Sequence, residues 1–137
     1  MEIFKQPATA KGPALTFTGD VWVDQLYATA DPAGASLHLV RFAPGARTHW
    51  HAHRLGQTLR IVEGIARIGT RDGTVIEAHP GTTVHIGPGE DHWHGASPHR
   101  SMAHLVLMDG DGDTVPQTEW AEAVENGEYN APRTNAR

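Results

Sequence analysis

Along most of the chain, apolar and polar positions alternate in short runs separated by Gly, Pro and Asp. On a strand, successive side chains point to opposite faces, so alternation of period two predicts half-buried strands rather than helices. VWVDQLY (21–27), ASLHLVRFA (35–43), QTLRIVEG (57–64), IARIGT (65–70), TVIEA (74–78), TTVHI (82–86) and MAHLVLM (102–108) read this way, and GPGEDHWHG (87–95) reads as a turn running into a strand. Gly64, RDG (71–73) and HPG (79–81) supply the turns between them. Many short strands at this spacing predict an all-β sandwich or barrel of jelly-roll type.

The pattern changes after Met108. DGDGDT (109–114) is too short for an EF-hand loop and lacks its closing glutamate, so it reads as a solvated linker. TEWAEAVEN (118–126) offers a capping threonine, with Trp120, Ala123 and Val124 at helical spacing, which predicts a short C-terminal helix. APRTNAR (131–137) reads as a loose tail. Residues 1–137 form one expected domain, with the barrel over about 20–108 and the helix and tail over 115–137. VWVDQLY reads as an exposed edge strand able to pair with a second copy, so a homodimer or homotetramer is expected.

Composition narrows the chemistry. The chain has no cysteine, which removes disulfides, thiolate metal sites and a cysteine nucleophile. Its formal charge is -5 without a basic block, against nucleic acid or an anionic membrane surface as partner. No apolar run approaches the ~18 residues of a membrane span. MEIFKQPATAKG lacks the apolar core of a secretory signal, so a cytoplasmic location is expected.

Histidine is the unusual entry in the composition: there are ten, all between His38 and His104. In THWHAHRLGQ (48–57), His51 and His53 stand at i and i+2 and share one strand face. Gln57 opens the next strand and can bring its amide oxygen to the same point. HWH repeats the spacing with His92 and His94. Two such pairs on neighbouring strands can converge on one ion. Imidazole suits Zn, Cu, Fe and Ni, and an added oxygen donor admits Mn.

GARTHWHAHRLGQTLRIVEG resembles the first motif of the cupins, G-x5-H-x-H-x3,4-E-x6-G, with Gly45, His51, His53 and Gly64 in place and Gln57 where Glu is usual. GTTVHIGPGEDHWHG resembles the second, through Gly81, Pro88, Gly89 and His92, with one extra residue between Gly81 and Pro88 and with Ala96 in place of the usual Asn. The likeness is closer to small bacterial single-domain cupins with hydroxynitrile lyase activity. It extends to KGPALTFTGDVWVD and MAHL. The resemblance implies a jelly-roll barrel and one Mn(II) or Fe(II), with Ni, Co or Zn as further options. It implies His51, His53, Gln57 and His92 as ligands. His94 then faces substrate or supports the ligands, and His104 is a further pocket histidine and candidate base. His38 stands where such relatives carry a small residue, and His38 and Val40 are expected to point into the barrel.

The catalytic candidates are therefore His38, His94 and His104, because a histidine titrates close to neutrality. Val40, Phe42, Thr48 and Met108 are expected to line a small-molecule pocket. Trp50 and Trp93 alternate with the ligands and should face away from the ion, while His79 and His99 should be exposed. Three imidazoles and a neutral amide leave the +2 charge of an ion uncompensated, a stronger Lewis acid than a site with Glu. The implied activity is cyanohydrin cleavage. Oxidation of a chelating substrate by dioxygen, another metal-dependent reaction, and non-catalytic ligand binding stay open on the same residues.

Overall fold

The computed structural model describes residues 1–113 and 117–134. The strands are β1 (Ala10–Lys11), β2 (Phe17–Thr18), β3 (Val21–Tyr27), β4 (Ala35–Phe42), β5 (Arg47–Thr48), β6 (His51–His53), β7 (Gln57–Gly64), β8 (Ala66–Thr70), β9 (Val75–Ala78), β10 (Thr83–Ile86), β11 (His92–Ala96), β12 (Met102–Asp109) and β13 (Thr118–Trp120). A single turn of helix, α1 (Asn126–Tyr129), follows. Two curled sheets pack face to face. One has the order β1-β3-β4-β12-β7-β10. In the other, β5 and β6 lie along one side of β11, β8 and β9 continue from its other side, and β2 and β13 extend β5 and β6. The fold is the expected all-β jelly roll with a short C-terminal helix.

Alternation explains both the core and the site. The inward positions of β7 run Gln57, Leu59, Ile61, so a polar side chain sits at one end of the strand and aliphatics at the other. All three are buried. Leu59, Ile61, Val21, Phe42 and Met102 fill the apolar end. The histidines of β6 and β11 occupy the other end. The turn from β6 to β7 is closed by Gly56 at φ 82°, where a Cβ would lie 2.5 Å from the Ile86 carbonyl oxygen. Glycine there brings Gln57 back beside His53.

The C-terminal region departs from the sequence reading. Residues 118–120 form β13, antiparallel to β6, and not the start of a helix. Pairing with an open strand edge outweighs the weak helical spacing of Trp120, Ala123 and Val124. The helix begins instead after Glu125, whose side chain closes a capping box with Glu128. The described part of the tail is anchored: Arg67 donates to the Tyr129 and Ala131 carbonyls, and Thr134 N–H donates to Val75 O at 2.7 Å. Residues 135–137 lie outside the described residues. Asp111 of the acidic linker pairs with Arg54 at 3.1 Å, so this stretch too is tied down; Thr114 lies outside the described residues. The outer edge of β3 is covered by β1 at Trp22 and Val23. Trp50 and Trp93 do face away from the histidines, forming a second buried cluster with Val75, Val124 and Tyr129. His79 and His99 are exposed. No helix among the described residues is long and apolar enough to cross a membrane.

Candidate metal centre

Register brings the histidines together. His92 of β11 pairs directly with His51 of β6, and His53 follows at i+2 on the same face. The donor nitrogens of His51, His53 and His92 all lie within 4.8 Å of one another, and all three residues are buried. Gln57 adds a fourth donor, with its Oε1 3.0 Å from His92 Nε2.

The hydrogen bonds select the tautomers. His51 Nδ1–H donates to the His49 carbonyl at 3.0 Å, and His92 Nδ1–H donates to the Glu90 carbonyl at 2.9 Å. A carbonyl only accepts, so the proton of each neutral ring sits on Nδ1 and leaves Nε2 with a bare lone pair. His53 Nδ1 lies 2.9 Å from Thr118 Oγ1, and its buried Nε2 has no hydrogen-bond partner. Burial, foremost, keeps the rings neutral. It holds His53 at about 4 and pushes His51 well below its ordinary value, with the charge of neighbouring rings adding to the effect. His92 is lowered for the same first reason.

One contact tests whether a cation fits. His92 Nε2 and Gln57 Oε1 are both acceptors, yet they face each other at 3.0 Å. Two buried acceptors without a proton between them repel. Adjacent donors on one ion at bond lengths of ~2.1 Å stand about this far apart, so a cation turns the repulsion into attraction. The donor set fits a divalent metal.

Above these donors is a cavity of about 170 Å³ lined by Phe17, Val23, His38, Val40, Thr48, His94, Val106, Met108, Thr118 and Trp120 as well as His51, His53 and Gln57. His38, His94, Val40, Thr48 and Met108 therefore reach the cavity. Thr48 Oγ1 accepts the His94 backbone N–H at 3.2 Å, and Met108 Sδ lies 3.9 Å from Gln57 Nε2. His38 is half-buried, and burial lowers its pKa.

Two expected pocket residues do not line the cavity. Phe42 is buried in the apolar core, edge-on to His94 and His104. His104 has no exposed surface and sits behind His94, with its Nε2 2.9 Å from His94 Nδ1. Both face inward, but the rings of the opposite sheet stand between them and the cavity. Neither His104 Nδ1 nor His94 Nε2 has a partner. One ring therefore donates to the other across this contact, and the His94 ring lies at the cavity wall. Burial, first, keeps both rings neutral, with His104 at about 4 and His94 well below its ordinary value.

The sequence reading missed Phe17, Val23, Val106, Thr118 and Trp120. Val23 and Val106 were available from alternation, since Val106 follows His104 at i+2. Phe17, Thr118 and Trp120 come from two- and three-residue strands whose placement depends on long-range pairing.

Comparison with known proteins agrees with this geometry. The cupin domain profile matches residues 38–109. A (R)-mandelonitrile lyase from Granulicella tundricola is 46% identical over 123 residues, covering 89% of this chain and 92% of that protein. The crystal structure of a cupin-like protein from Thermotoga maritima has a TM-score of 0.83 at 32% identity and covers 98% of this chain and 99% of its own. A cupin 2 conserved barrel domain protein from Rhodopseudomonas palustris shares the fold, with a TM-score of 0.68 at 18% identity over 85% of this chain and 78% of its own. The histidine motifs, the jelly roll and these relatives together make the chain a member of the cupin family.

Proposed function

We propose that this cupin is a metal-dependent hydroxynitrile lyase that cleaves cyanohydrins to a carbonyl compound and cyanide. The observation that carries the reading is the uncharged donor set, three neutral imidazoles and an amide, under a largely apolar cavity. The 46% identity to a (R)-mandelonitrile lyase supports it.

His51, His53, Gln57 and His92 would hold the ion, with Mn(II) or Fe(II) the proposed occupants. A divalent cation held there supplies Lewis acidity toward the oxygen or nitrogen of a bound cyanohydrin, undiminished by any protein carboxylate. Phe17, Val40, Val106 and Trp120 exclude water and hold the substituent of the substrate. His38, neutral at pH 7, takes the hydroxyl proton as the carbonyl forms. The bond between the carbinol and nitrile carbons breaks, and its electron pair leaves with cyanide. With its proton on Nε2, His94 would donate to the developing negative charge. The proton on His38 then passes to cyanide, which leaves as HCN. The reaction is redox-neutral, so dioxygen takes no part.

The test is release of benzaldehyde from (R)- and (S)-mandelonitrile under nitrogen and under air. Equal rates in both atmospheres support the lyase. Turnover that requires air, or none in either, overturns it.

A further inference from the structure

We infer that Thr118 is a positioning residue for the metal ligand His53, so that β13, a strand beyond the matched cupin region, completes the centre. The inference rests on the metal reading of the site. The three imidazoles differ in how Nδ1 is held. His51 and His92 each use a carbonyl two residues earlier in the chain, His49 and Glu90. Such an acceptor comes with the strand and cannot be lost by a side-chain change. His53 instead uses the Thr118 hydroxyl, 2.9 Å away and 65 positions along the sequence.

The pairing of β13 with β6 makes this contact. Thr118 stands opposite His53 and Trp120 opposite His51, so both strand residues share the face of the ligands they touch. Arg54 N–H to Gln117 O at 2.9 Å and Trp50 N–H to Glu122 O at 2.9 Å fasten the chain at the two ends of this strand. Residues 118–120 lie outside the cupin profile, which ends at 109. A hydroxyl also differs from a carbonyl in kind, because it both donates and accepts. With the Nδ1 proton donated to Thr118, His53 offers its bare Nε2 to the ion. Without that acceptor, the buried ring is driven toward the tautomer that carries its proton on Nε2 and cannot ligate. The orphaned Nε2 of His53 points to the same requirement.

The experiment measures the dissociation constant for Mn(II) by chelator competition, with free Mn(II) read by its paramagnetic resonance. It compares the full chain with Thr118→Val, Thr118→Ser and His51→Ala. Valine keeps the branched shape and strand preference but removes the hydroxyl; serine keeps the hydroxyl. Thr118→Val is expected to weaken Mn(II) binding roughly ten- to a hundredfold, and Thr118→Ser to stay within about threefold of the parent. The urea midpoint of each metal-free variant separates positioning from folding. Loss of affinity in Thr118→Val at an unchanged midpoint supports the inference. Parental affinity in Thr118→Val, equal losses in the valine and serine variants, or a loss that tracks the midpoint overturns it. If His51→Ala abolishes binding while Thr118→Val does not, the metal centre stands and only the role of Thr118 fails. If the parent chain binds no Mn(II), both fall.

Discussion

The indole of Trp120 is stacked on the imidazole of His51, with ring centroids 4.6 Å apart and planes 28° from parallel. Phe17 lies 6.0 Å from the same indole. The two aromatics form one wall of the cavity directly beside a ligand. An aryl substituent on the substrate would pack there. Trp120→Leu is expected to raise KM for mandelonitrile about two- to tenfold, the worth of one aromatic contact. Acetone cyanohydrin, which has no ring, should be affected less. Steady-state kinetics on both substrates check this, and an equal change in the two KM values would contradict it.

Gln57 sets the charge of the centre. Gln57→Glu places a carboxylate 3.0 Å from His92 Nε2 and cancels about half the charge of a divalent ion. The variant should hold metal more tightly and turn over roughly tenfold or more slowly, because a weaker Lewis acid stabilises less developing charge. Metal affinity and kcat measured on the same preparation should move in opposite directions. A joint rise or a joint fall would contradict the argument.

His38 reaches the cavity without belonging to the ligand cluster. As the base of the proposed reaction it should be worth about 10²-fold or more in kcat. His38→Ala should therefore lose activity on that scale while binding metal as the parent does. Burial lowers the pKa of His38 below its ordinary 6.5. The active form is the unprotonated one, so kcat should fall on the acid side with an apparent pKa below 6.5. A pH profile and a metal titration check the two halves. Full activity in His38→Ala would contradict its assignment as the base.

Buried neutral histidines also make the metal-free fold acid-sensitive. His53 and His104 are held at about 4 in the folded chain by burial, against 6.5 for an exposed histidine. As pH falls below 6.5 the unfolded chain takes up protons first. The stability these groups allow is therefore complete above 6.5 and is lost toward 4. Each contributes a slope of up to about 1.4 kcal/mol per pH unit. Urea unfolding of metal-free protein from pH 7 to pH 4.5 should show this decline, and His104→Gln should flatten it by one group's share. A profile without slope over that interval would contradict the burial argument.

Much of the barrel was legible because alternation is local. The windows at 21–27, 57–64 and 102–108 became β3, β7 and β12 with bounds shifted by at most one residue. The shared face of His51 and His53 was legible from strand period, and the resemblance to the cupin motifs added Gln57 and His92 to the same candidate site. Phe42 and His104 show the limit of that reasoning. Alternation says which face a residue takes, but not whether another side chain stands between it and the cavity. Thr118 shows another limit. Its hydroxyl suggests a helix cap when only near neighbours are visible, and only pairing with β6 turns it toward His53. The anchored tail is similar, because the acceptors for Arg67 lie 62 and 64 positions away.

The most direct measurement is to follow metal content and anaerobic mandelonitrile cleavage together through chelation and re-addition of Mn(II) or Fe(II), with His51→Ala alongside. The account predicts about one divalent ion per chain, cleavage that disappears as the ion is removed and returns as it is restored, and neither in His51→Ala. Cleavage that persists at full rate in metal-stripped protein would contradict it.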